Sequence, residues 1–128
     1  MCDNYVKRIS GYLIEGVINE SNMASYDLFI ERVKDIHKIG AIQGHLGWDQ
    51  ETIMPTKGSK ARSEIMSWLA KEQHERVTDE SLAQMITELE SDDSLDEDQR
   101  ANVREVRRRY DKAVKLPSDF VAEFALAR

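Results

Sequence analysis

Three histidines and a dense set of carboxylates are the residues of this 128-residue chain with the chemistry to hold a metal or move a proton. His74-Glu75 opens like the pattern H-E-x-x-H, in which two histidines one turn apart bind zinc and the glutamate acts as general base. The second ligand position is Thr78, so His74 is expected to be an exposed residue near a helix end. His37 and His45 are eight residues apart, about 12 Å along a straight helix at 1.5 Å per residue, too far to share an ion. Asp49 and Glu51 are two residues apart and diverge on a helix, a poor general acid/base pair. The sequence has no G-x-S-x-G elbow, no phosphate-cradling glycine loop and no neighbouring Cys/His pair. These spacings assign no catalytic residue and no metal ligand.

The stretch His45 to Pro55 gathers a histidine, Trp48, Asp49, Glu51 and a proline stop. It falls where one helical pattern ends and the next begins, so Trp48 is expected to anchor a core or an interface. Upstream, from Tyr26 to about Glu51, Phe29, Val33 and Ile36 mark one face of a long helix, and Gly40, Gly44 and Gly47 continue that stripe. Each glycine costs about 1 kcal/mol against alanine in a helix interior, so something must approach this backbone closely: another helix, or a substrate main chain. Pro55 forbids continuation, having no amide donor.

The other elements follow in order. Residues 1–22 carry Val6, Ile9, Leu13 and Val17 at helical spacing, flanked by Tyr5, Tyr12 and Ile18, and read as a short amphipathic appendage to the region 23–128. Ser59 to about Val77 predicts a helix burying Ile65, Trp68 and Leu69, with Arg62, Lys71 and Glu72 left to solvent. Thr78-Asp79-Glu80 has the chemistry of a new helix start, followed by the stripe Leu82, Met85, Ile86, Leu89. Ser94 and Glu97 have capping-box spacing ahead of a helix burying Val103, Val106, Tyr110, Ala113 and Val114. Beyond Leu116-Pro117, Ser118 is placed to cap a last helix bearing Phe120, Val121, Phe124 and Ala125. The sum is an all-α fold: about six amphipathic helices in an irregular antiparallel bundle.

Composition narrows the classes. Apolar residues make up 41% and charged residues 33%, with two prolines, a balance that suits a soluble helical domain. The net charge of -6 opposes general nucleic-acid binding, which neutralises phosphates with cations. Nine acids and no base lie between Asp79 and Asp98, and seven bases with two acids between Arg100 and Lys115. No aromatic residue interleaves Arg107-Arg108-Arg109 for base stacking, so this is an ion-paired helix face. No run is long and apolar enough for a membrane span. Cys2, the single cysteine, leaves no disulfide or thiolate cluster, and a cytoplasmic location is expected.

The order of motifs resembles the Taq-type thermostable zinc carboxypeptidases. Tyr26-Asp27-Leu28 leads through Glu31-Arg32-Val33 to Trp48-Asp49-Gln50-Glu51 and Met54-Pro55, then Arg62, His74-Glu75-Arg76 and Thr78-Asp79. It continues through Leu95-Asp96-Glu97-Asp98, Arg100 to Arg107, Tyr110-Asp111 and Lys115-Leu116-Pro117, covering residues 24–128. The resemblance implies a mostly helical peptidase that removes C-terminal residues from peptides with zinc, or cobalt, held by H-E-x-x-H and a further glutamate; the metal activates water and polarises the scissile carbonyl. None of those ligands maps onto this sequence, so this chain itself carries no metal cofactor. It implies too that the N-terminal helices wall or cover a deep substrate cleft, which makes Trp48 and Asp49 cleft candidates. Phe120 and Phe124, on an amphipathic helix that stops at Arg128, are candidates for an interface. The expected partner is the missing catalytic part or a second copy of the chain in a homo-oligomer. Two expectations result: an N-terminal fragment inactive by itself, acting on peptides only when completed, or a free-standing helical interaction module.

Overall fold

A computed structural model describes residues 25–127. The expected helix over residues 1–22 lies outside the described residues. Within them there are five α-helices and a 3₁₀ turn, and no strand, so the all-α expectation holds.

Helix α1 spans Ser25–Thr52, 28 residues, about 42 Å at 1.5 Å per residue. Its end is made by Pro55: the amides of Ile53 and Met54 both donate to the Asp49 carbonyl, at 3.1 and 3.0 Å, and a 3₁₀ turn, Thr56–Gly58, redirects the chain. Helix α2, Ser59–Val77, then runs back along α1, since Arg62 meets Leu46 and Asp49 whereas Gln73 meets Ile36.

Helix α3 is Glu80–Glu90. Its cap is Asp79, whose carboxylate accepts from the Ser81 amide at 2.7 Å. Thr78 instead closes α2, its hydroxyl donating to the His74 carbonyl at 2.8 Å. Helix α4 is Glu97–Ala113, and its capping box is Asp96 with Gln99, two residues later than the Ser94/Glu97 pair that the spacing predicts. The reason is Leu95, which is buried in the core: anchoring it keeps the chain extended until Asp96, and Ser94 turns back onto Asp92 at 2.6 Å. Helix α5, Ser118–Leu126, has Pro117 at its cap position, so Ser118 is the first helical residue and its hydroxyl is used elsewhere. Ser67 Oγ donates to the Ala122 carbonyl at 2.8 Å and Lys71 Nζ to Asp119 at 3.0 Å, which makes α5 antiparallel to α2. Helices α1 and α4 run in the same sense, with Tyr26 beside Asn102 and His37 beside Arg109; the bundle is irregular.

The core sits at one end. Phe29 and Ile36 of α1 meet Leu82, Ile86 and Leu89 of α3, Val103 of α4 and Leu95 between them. Fully burying such a side chain contributes about 1.5–3 kcal/mol. The predicted stripes on α3 and α4 supply most of this cluster. Val114 departs from its stripe and is half exposed, because α4 has ended at Ala113. On α2 only Leu69 is buried; Ile65 and Trp68, expected in the core, are 47% and 62% exposed, since no described helix covers that flank. The acidic and basic segments attract as expected: Arg107 grips the Glu90 carboxylate with two bonds of 2.8 and 2.9 Å. That contact holds the Glu90 carboxyl below its ordinary range, against a smaller desolvation effect.

Candidate functional site

At the other end, the C-terminal half of α1, the N-terminal half of α2 and helix α5 enclose a cleft of about 520 Å³. Helix α1 contributes Gln43, Gly44, Gly47, Gln50 and Glu51; α2 contributes Ser63, Met66 and Ala70; α5 contributes Val121, Phe124 and Ala125. The glycine stripe divides here. A methyl group on Gly40 would lie 2.9 Å from Gln73 Nε2 of α2, whereas one on Gly44 or Gly47 would meet nothing within 4 Å. Only Gly40 admits a neighbouring helix; the other two widen the cleft.

Of the predicted cleft residues, Asp49 is a brace. Arg62 donates to its carboxylate and to the Leu46 carbonyl, tying the end of α1 to the start of α2. Contrary to its expected solvent position, the Arg62 side chain is only 15% exposed. Trp48 is not a core anchor: it is 73% exposed and does not line the cleft, because the 3.6-residue period that turns Gly44 and Gly47 inward turns Trp48 out. Phe120 and Phe124 stack with ring centroids 6.4 Å apart, and both are more than half exposed. Phe124 alone of the pair borders the cleft. Sequence reasoning missed Gln43, Gln50 and Glu51 as cleft residues. The signal was available, since Gln43, Gly47, Gln50 and Glu51 share a helix face with Gly44 at three- and four-residue spacing.

The histidines have structural employment. His74, expected to be exposed, is part-buried at the meeting of α2, α4 and α5: Nε2 lies 3.0 Å from the Ala113 carbonyl and Nδ1 3.0 Å from Ser118 Oγ. A carbonyl only accepts, so Nε2 carries the hydrogen and, in the neutral ring, Nδ1 accepts from Ser118. His37 Nε2 lies 3.1 Å from Arg109 Nη1, and a guanidinium only donates. Among the described residues no group of three or more His, Cys, Asp or Glu is placed to hold a metal ion. The described residues therefore offer no grouping that fits a catalytic metal. What the cleft offers is a lining of apolar Met66, Val121 and Phe124 beside two carboxamides, Gln43 and Gln50, and the Glu51 carboxylate. No helix among the described residues is long and apolar enough to cross a membrane.

Comparison with known proteins places the chain in a family of metallopeptidases. The profile described as Carboxypeptidase Taq (M32) metallopeptidase matches residues 28–128, and the chain belongs to that family. It is 29% identical over 107 residues to thermostable carboxypeptidase 1 of Thermus thermophilus, an alignment covering 81% of this chain and 21% of that protein. The chain thus spans about a fifth of its relative's length. No solved structure matches it significantly.

Proposed function

We propose that this chain is the N-terminal helical wall of a zinc-dependent carboxypeptidase that removes C-terminal residues from peptides, and that it is inactive alone. The observation that carries the reading is the family match over residues 28–128 in a sequence without H-E-x-x-H. The open cleft supports it: a face with glycines, Met66 and Phe124 suits apposition to further polypeptide. In this reading Asp49 braces the wall through Arg62, and Trp48 projects from it toward the catalytic part. The unit runs from residue 23, with 1–22 as an appendage, and works in the cytoplasm, where a single cysteine stays reduced.

The test is release of C-terminal residues from N-blocked peptides by the purified 128-residue chain, with and without added zinc or cobalt. No release is expected. Metal-dependent release would overturn the inactive part, and failure of the chain to restore activity to a separately expressed H-E-x-x-H portion of its own gene would overturn the wall.

A second reading rests on the exposed pair Phe120 and Phe124: the chain is a helical interaction module that covers these rings by self-association. It requires an oligomer that Phe120→Asp with Phe124→Asp dissociates. A monomeric wild-type mass in light scattering would eliminate it.

A further inference from the structure

The cleft between α1, α2 and α5 has a sign as well as a shape. Among the described residues that line it, Glu51 is the one charged group, and there is no lysine or arginine. The arginine beside it in the fold, Arg62, is already matched by Asp49 and the Leu46 carbonyl, so its charge does not answer Glu51. Glu51 stands in the last turn of α1, which holds no basic residue, at the negative end of the helix dipole, where a cation is the stabilising charge. Helix α5 runs antiparallel to α2 and so brings its own C-terminal turn, again without a basic residue, to the same mouth. Two negative helix ends and a carboxylate therefore meet the single positive end of α2.

The rest of the lining suits the stem that such a cation would need. Met66, Val121 and Phe124 give an apolar wall, against which the methylenes of a long side chain can lie while its charged head reaches a polar group. The Phe124 ring is more than half exposed and offers a π face, which attracts cations. Gln43 and Gln50 share the α1 side of the cleft with Glu51, and their carboxamide oxygens accept from an ammonium or a guanidinium. Gly44 and Gly47 leave that side open, with nothing within 4 Å of where a methyl group would stand.

We infer that this cleft binds a lysine or arginine side chain carried in the body of a peptide, with Glu51 as the anion that selects it. The end of a peptide is the wrong occupant, because a terminal carboxylate would meet Glu51 and two negative helix ends with no cation lining the cleft to receive it. That the carrier is a peptide rests on the peptidase reading. Binding involves no hydrolysis, so it can fail while restoration of activity succeeds, and the reverse.

The test is an NMR titration of the nitrogen-15-labelled 128-residue chain with alanine pentapeptides, acetylated and amidated at their ends, whose central residue is arginine, lysine or norleucine. The two cationic peptides should bind about tenfold more tightly than the uncharged one, the scale of a charge-assisted contact at a partly open site. Their shifts should centre on the amides of Gly44, Gly47, Glu51 and Phe124. Glu51→Gln should bring them down to the norleucine affinity, and Gly44→Leu, which fills the cleft from a helix position that tolerates it, should abolish binding. Glu88→Gln, an equal loss of charge at an exposed site on α3, should change nothing. Norleucine binding as tightly as arginine, equal losses in Glu51→Gln and Glu88→Gln, shifts centred away from the cleft, or no saturable binding at millimolar peptide would each overturn the inference.

Discussion

The two ends of the bundle are built from the same kind of helix and come out differently. Where α1 meets α3 and α4, Phe29, Leu82, Ile86 and Val103 are each at most 2% exposed, and Arg107 of α4 is tied to Glu90 of α3. Where α1 meets α2 and α5, Leu69 alone is buried, while Trp48, Trp68, Phe120 and Phe124 stay open. The difference teaches that amphipathic pattern makes a helix but not a core. A stripe is buried only if another stripe faces it, and at the open end the opposing positions are glycines and a cleft.

The largest test of this contrast is a pair of truncations. Phe29→Ala should destabilise the chain by about 3–5 kcal/mol, whereas Trp68→Ala, a surface change, should stay within about 0.5 kcal/mol. Urea unfolding followed by circular dichroism measures both, and similar losses would abolish the distinction between the ends. Next comes the one strong polar tie at the open end. Arg62→Ala should cost about 1–2 kcal/mol, below the range for a fully buried pair because the Asp49 side chain is 34% exposed. Arg62→Lys should recover little of it, having no fork to span the Asp49 carboxylate and the Leu46 carbonyl.

Glycine substitution sharpens the comparison within one helix. Gly44→Ala and Gly47→Ala should each stabilise by about 0.5–1 kcal/mol, gaining helix propensity in open space. Gly40→Ala should gain less, because Gln73 must move aside. A uniform gain across the three in thermal melts would mean that α2 does not approach α1 at Gly40. The smallest effect is electrostatic and belongs to the closed end. Arg107 lowers the folded-state pKa of Glu90, so the pair adds stability above the unfolded carboxyl's ordinary value and loses it as pH falls through the depressed one. Glu90→Gln should cost under about 1 kcal/mol at neutral pH, given partial exposure, and should flatten the acid side of the stability profile. An unchanged acid limb would mean the pair is silent.

Much of this was legible in the residues. The stripes of α3 and α4 and the break at Pro55 follow from periodicity and from proline chemistry, which are local. The family was legible from the order of short motifs. What failed was what depends on neighbours. Ile65 and Trp68 have core character but no opposing surface; Arg62 looks like a surface cation until its two acceptors are in place. His74 carries half a zinc motif, yet its ring is spent on Ala113 and Ser118, residues that only the tertiary fold brings to it. The helix starts shifted because several residues offered capping chemistry, and the burial of Leu95 selected Asp96. The cleft was invisible as a whole, although its α1 face could have been found from the spacing of its glycines and carboxamides.

The His74 junction has a consequence for how the molecule comes apart. Helix α5 adds no buried side chain and is held to α2 by Ser67, Lys71 and the His74 to Ser118 bond. It should therefore behave as its own cooperative unit, detaching while the α1, α3 and α4 cluster stays intact. In native-state hydrogen exchange the amides of Val121 to Leu126 would open at a small fraction of the free energy that guards those of Ile86 and Val103. Replacing His74 would widen that gap, leaving the last helix a detachable latch over a cleft whose other two walls hold firm.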